Sequence, residues 1–119
     1  SPSPSPTPSP TTYTVTVASY LGANYFYIDG SRAAALTVTE GQTYKFDQSD
    51  SSNSSHPLRL STTSNGTHGG GSEYTTGVTT NGTPGSSGAY TQIEVASGAP
   101  TLYYYCTNHS GMGGVIYTT

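Results

Sequence analysis

Charge is what this chain most lacks. Only 8% of its 119 residues are charged, three basic and six acidic, for a formal net charge of −3, where an average soluble protein has roughly 25%. One lysine and two arginines argue against nucleic-acid binding, which needs a basic patch to displace counterions from phosphate. No apolar run approaches the ~20 residues of a membrane span. Tryptophan is absent, and cysteine and methionine occur once each, as Cys106 and Met112. A single cysteine excludes an intrachain disulfide, so cysteine usage says nothing of the compartment.

Hydrophobic residues are also few, at 31%. Serine, threonine and glycine fill the gap, and eleven tyrosines supply much of the capacity for burial. Each buried aromatic ring removes about 150–250 Å² from water, enough for one small sandwich core. A Ser/Thr/Gly/Tyr surface with one lysine suits a secreted or surface-displayed protein, extracellular or on a cell or virion. The chain begins at Ser1 with no signal segment, as expected of a mature product. Asn53, Asn65 and Asn108 each head an N-x-[ST] sequon, and Asn81 heads one followed by Pro84, so glycosylation is a further expectation.

Residues 1–12 form a Ser/Pro-rich tail or linker. Proline at every second position favours extended polyproline II, about 3.1 Å per residue, and Ser/Thr-Pro runs resemble O-glycosylated stalks. From Tyr13 to Thr119 the pattern has period two. YTVTVASY sets Tyr13, Val15 and Val17 on one face, and NYFYIDG closes at the turn dipeptide Asp29-Gly30. AAALTVT, TYKFDQ, HPLRL, AYTQIEVA, TLYYYC and VIYTT complete seven to eight strands. In TLYYYC the inward face is Leu102, Tyr104 and Cys106. With turn punctuation and no helical periodicity, the fold class is an all-β sandwich, antiparallel or mixed. Between residues 61 and 89 turn signals dominate, and Tyr74 and Val78 are the only anchors, so a long functional or interface loop is expected there. His68, beside three glycines, reads as a solvated loop histidine, with metal ligation as the alternative.

The densest chemistry lies in YYYCTNHSGMGG. Cys106, His109 and Met112 follow one another at C-x2-H-x2-M, and His56 heads the HPLRL strand. Taken singly, a cysteine or methionine is most often a core side chain. Together, one thiolate, two imidazoles and one thioether are the ligand set of a mononuclear type 1 copper site, since soft sulfur suits Cu(I) and imidazole suits both oxidation states. The candidate ligands are therefore His56, Cys106, His109 and Met112, and the candidate cofactor is one copper ion. Zinc would accept two histidines and a cysteine, but thioether is a poor fourth ligand for it. A thiolate–imidazole pair of Cys106 with His109 or His56 would suit a nucleophilic enzyme. No third group with a recognisable spacing orients such a pair, so enzymatic activity is not expected.

These residues carry a family resemblance. Over roughly residues 13–119 the chain resembles the cupredoxins, through YFYIDG…LTVTEGQTYKFDQSD…SHPLRL and the C-terminal loop. That loop is most similar to those of amicyanin-like and pseudoazurin-like members, although the latter place methionine two residues later, where this chain has Gly114. A vaguer similarity is to YYYC-x-x-HSGMGG domains of environmental phage and surface proteins. The resemblance implies a Greek-key β-sandwich with Cys106 as equatorial thiolate, His56 and His109 as equatorial imidazoles and Met112 as axial ligand. Asn108 and Ser110 would supply hydrogen bonds around them. The His109 edge would be the electron port, left open by Gly111, Gly113 and Gly114.

Two roles follow from this. The first is a copper-competent domain serving as a structural subunit of an extracellular or surface assembly, self-associating through its tail and long loop. The second is a soluble electron carrier cycling Cu(II) and Cu(I) with a redox partner. Carriers dock through charged rims, for which this chain has little charge, so the structural role is favoured.

Overall fold

A computed structural model describes residues 10–119. The polyproline and self-association expectations for residues 1–9 lie outside the described residues. Ten strands follow in order: β1 (Thr11–Tyr20), β2 (Ala23–Ile28), β3 (Ser31–Arg32), β4 (Leu36–Val38), β5 (Thr43–Asp47), β6 (Leu58–Ser61), β7 (Val78–Asn81), β8 (Tyr90–Glu94), β9 (Leu102–Cys106) and β10 (Gly114–Thr118). Two short 3-10 turns, Ser51–Asn53 and Gly66–Gly69, precede and follow β6. No helix among the described residues is long and apolar enough to cross a membrane.

The strands form two mixed sheets, β3-β2-β1-β5-β8-β7 and β4-β10-β9-β6. The all-β sandwich expected from period-two patterning is the observed architecture. The additional strands are short edge pieces, β3 and β7, whose mostly exposed residues lack the apolar alternation that marks a strand. β1 begins at Thr11, two residues before the boundary read from the sequence. Thr11 to Thr14 pair in parallel with Tyr44 to Asp47, and Val15 to Tyr20 then pair antiparallel with β2. Asp29 and Gly30 take φ of 49° and 87° and turn β2 into β3, as a DG hairpin requires.

The core lies between the sheets. Val15, Phe26, Phe46 and Ile93 from the larger sheet meet Leu58, Leu60, Leu102 and Ile116 from the smaller, all buried. Tyr104 belongs to the same buried cluster. Its ring lies 6.4 Å from Phe26 and 6.2 Å from Phe46, and its hydroxyl donates to the Ala34 carbonyl at 2.7 Å. Burial pushes the Tyr104 phenol far above its ordinary range, so it remains a neutral donor.

The stretch from 61 to 89 is more structured than its turn signals imply. Tyr74 N–H donates to Leu60 C=O at 2.6 Å, Ser61 bridges to Glu73, and β7 pairs along β8. These contacts join residues distant in sequence, which local periodicity does not register. The three basic side chains are occupied as well. Arg32 stacks over Tyr20 at 3.6 Å, Lys45 over Tyr90 at 4.4 Å, and Arg59 lies 3.8 Å from Glu73.

Candidate metal centre

Strand register brings the site together. Cys106, the last residue of β9, lies opposite Leu58 in β6. Side chains two apart on an extended chain share a face, so His56 enters beside Cys106 just ahead of Leu58. On the other side the chain turns sharply after Cys106, and His109 comes back to the sulfur. Sγ of Cys106 lies 3.8 Å from Nδ1 of His56 and 3.6 Å from Nδ1 of His109. The three potential ligand atoms all lie within 4.8 Å of one another, and the imidazole centroids are 4.6 Å apart.

These separations suit one shared ion. A metal about 2.3 Å from a thiolate and about 2.0 Å from each imidazole nitrogen, with ligand angles of roughly 109–120°, holds sulfur and nitrogen about 3.5–3.7 Å apart. The protonation chemistry suits it too. Burial, followed by the neighbouring His109, lowers the His56 pKa and keeps that ring neutral, the form that ligates. Burial pushes the Cys106 thiol up, while the backbone N–H groups of Asn108 and His109 oppose it by hydrogen bonding to the sulfur. A buried thiolate needs a cation beside it, and a bound metal ion would provide one. His56, Cys106 and His109 therefore form a group able to hold a metal ion.

Met112, the fourth candidate, is buried in the same apolar cluster as Cys106, and its carbonyl accepts from Phe26 N–H at 3.0 Å. His56 is half-buried and His109 exposed, so access from solvent is through His109. The glycines after Met112 serve packing more than access. A Cβ on Gly113 would lie 1.6 Å from the Tyr104 carbonyl oxygen, and one on Gly114 would lie 2.7 Å from the Ala33 carbonyl oxygen. Gly111, by contrast, has open space around its missing Cβ and a φ of 80°, which favours glycine for its backbone alone.

Two buried amides brace the His56 side. Gln48 donates from Nε2 to the His56 carbonyl at 2.7 Å and to Asn53 Oδ1 at 3.1 Å, and its Oε1 accepts from Leu58 N–H at 2.9 Å. Asn53 in turn donates to the Val15 and Asp50 carbonyls and accepts the His56 N–H on its own carbonyl at 2.8 Å. Asn108 ties the two arms together by donating to the Ser55 carbonyl at 3.0 Å, and Thr107 N–H reaches the Pro57 carbonyl at 3.2 Å. Ser110 Oγ accepts from Asn65 at 2.8 Å.

The sequence reading missed Gln48, Asn53, Asn65 and His68 as parts of this site. His68 is exposed, as expected of a loop histidine, and its Nε2 also lies 2.8 Å from the Cys106 carbonyl oxygen. The Asn65-Gly66 dipeptide was the available signal, since such pairs mark left-handed backbone, and Asn65 has φ 64°. The sequon at Asn53 uses a residue whose side-chain amide is engaged inside the fold, and the Asn65 amide is hydrogen-bonded to Ser110 at the surface. No protein-family profile matches the chain, and no curated protein matches it.

Proposed function

We propose that the chain is a cupredoxin-like copper-binding domain in which His56, Cys106 and His109, with Met112 as the fourth candidate, would hold the ion. The observation that carries this reading is the pair of sulfur-to-nitrogen distances, 3.8 and 3.6 Å, with both histidines turning Nδ1 to one buried thiol. Copper is favoured over zinc by the donors. Among the described residues the His/Cys/Asp/Glu group stops at three members, and the soft side chain three residues beyond His109 is a thioether, which suits copper.

Copper bound there supplies one-electron exchange between Cu(II) and Cu(I). The protein holds the thiolate away from water, favours the neutral form of His56 through burial and fixes both arms by backbone hydrogen bonds. His109, as the exposed ligand, is the port through which a redox partner would couple. The test is dialysis against copper followed by voltammetry. One equivalent retained per chain, with a reversible one-electron wave, supports the reading. Copper lost on washing, or an equal amount retained by Cys106→Ser, removes it.

A second reading makes the same domain a building block of an extracellular assembly. It draws on exposed Tyr20, Leu21 and Tyr117 and on the low charge, which provides little of a carrier's docking rim. Sedimentation velocity of the full chain tests it: association that is lost without residues 1–9 supports this reading, and a monomer at every concentration contradicts it.

A further inference from the structure

The chain between β6 and β7 touches the candidate ligand loop at two separate places. Its 3-10 turn, Gly66–Gly69, is entered through Asn65 in the left-handed region, at φ 64° and ψ 11°. Asparagine tolerates that conformation better than most residues. Gly66 is itself left-handed and buried, and a Cβ there would fall 2.5 Å from the Tyr105 ring. Glycine thus lets the turn lie flat on Tyr105. This explains why Tyr105 is only 1% exposed although it points away from the inter-sheet core.

From that seat two side chains reach the ligand loop. The His68 ring nitrogen Nε2 lies 2.8 Å from the Cys106 carbonyl oxygen. A carbonyl only accepts, so Nε2 carries the proton. Asn65 uses both ends of its amide: Oδ1 accepts from Gly111 N–H at 2.8 Å, and Nδ2 donates to Ser110 Oγ at 2.8 Å. One contact is on a candidate ligand itself, and the others fall between His109 and Met112. The turn is braced internally. His68 N–H bonds the Asn65 carbonyl, Gly71 N–H bonds the Gly66 carbonyl, and the Ser61 hydroxyl donates to the Ser72 carbonyl at 2.8 Å.

We propose that Asn65 and His68 are positioning residues that hold the Cys106–Met112 loop in its metal-ready shape before any metal binds. Ordering a free loop costs conformational entropy, and a loop already ordered does not charge that cost against affinity. The clamp also resists movement of the ligands when an electron is gained or lost. The inference rests on the metal reading of the site, but its first test needs no metal.

Amide hydrogen exchange of the metal-free protein is compared among wild type, Asn65→Ala, His68→Ala, His68→Gln and Ser110→Ala. Tenfold or faster exchange is expected across 107–112 in Asn65→Ala and His68→Ala, with β8 and β5 unchanged. Gln keeps a side-chain N–H donor, so His68→Gln should recover part of the protection. Ser110→Ala removes one contact from the loop side and leaves the turn intact, which keeps the test available if Asn65→Ala fails to fold. Copper affinity should fall 10–100-fold in Asn65→Ala and His68→Ala, the range seen for groups that orient metal ligands, with an altered EPR spectrum in both. Equal exchange in all variants overturns the clamp. Copper affinity and spectrum unchanged in both alanine variants also overturn it. A wild type that binds no copper while the variants exchange faster supports the clamp and overturns only the metal reading.

Discussion

Gln48 donates to the main-chain carbonyl of His56 at 2.7 Å, so a candidate ligand eight residues further along the chain is fixed by a side chain only 1% exposed. The same amide takes the Leu58 N–H on its oxygen. It therefore grips the chain on both sides of Pro57, which has no N–H of its own to anchor it. Replacing Gln48 by Leu leaves the Leu58 N–H, the His56 carbonyl and Asn53 Oδ1 short of a partner. Unfolding by urea should show a loss of about 2–4 kcal/mol, given about 1–3 kcal/mol for each buried group left unsatisfied and partial relaxation around it. Metal affinity should fall with it.

Gly113→Ala should be among the most damaging single changes at the site. The added methyl would meet the Tyr104 carbonyl oxygen at 1.6 Å, and a backbone atom in a paired strand cannot step aside. The ligand loop would have to lift off β9. Overpacking of this kind costs about 1–3 kcal/mol and occasionally more. Denaturant unfolding should place Gly113→Ala at or above the upper end of that range, whereas Gly111→Ala, with open space around it, should suffer only from its left-handed backbone.

Acid should loosen the His56 arm. Asp47 and Asp50 both have lowered pKa values, chiefly through hydrogen bonds from the side chains of Ser49 and Ser52 respectively. A carboxyl whose pKa is lower in the folded state contributes stability above the unfolded value, about 3.9, and loses it as pH falls through the folded value. Stability should therefore be level in this respect above about pH 5 and decline below about pH 4. Asp50→Asn together with Asp47→Asn should flatten that decline, as read from thermal melts between pH 2.5 and 6.

Metal removal should lower the melting temperature. A ligand that binds only the folded state stabilises it by about 2.7 kcal/mol at a free concentration 100 times its dissociation constant. Scanning calorimetry with copper and with a chelator should differ by roughly 10 °C in a domain of this size. The difference should vanish in Cys106→Ser.

Much of the architecture was legible because the strands bury one face. Val15, Phe46, Ile93 and Leu102 sit in the core where alternation assigns them. Tyr105 broke the rule: its outward face is covered by the distant turn at Gly66–Gly69, and no periodicity reports that. His56, Cys106 and His109 were readable because few residue types bind a soft metal and this chain has few of them. Their supports were not. Gln48, ending the TYKFDQ strand, and Asn53, in a sequon, look like ordinary polar residues, and only the folded chain shows them buried on one another at 3.1 Å. His68 was likewise unreadable, since its partner is a main-chain carbonyl, which leaves no mark in a sequence.

The most direct test of the central claim is the visible absorption spectrum of the protein loaded with one equivalent of Cu(II), beside that of Cys106→Ser. An intense thiolate-to-copper charge-transfer band in the wild type, absent from the variant, is the expected result. It would place Cys106 Sγ, 3.6 Å from His109 Nδ1, on the metal. Weak absorption identical in the two proteins would contradict the claim and leave the three side chains as a cluster without a copper ion to hold.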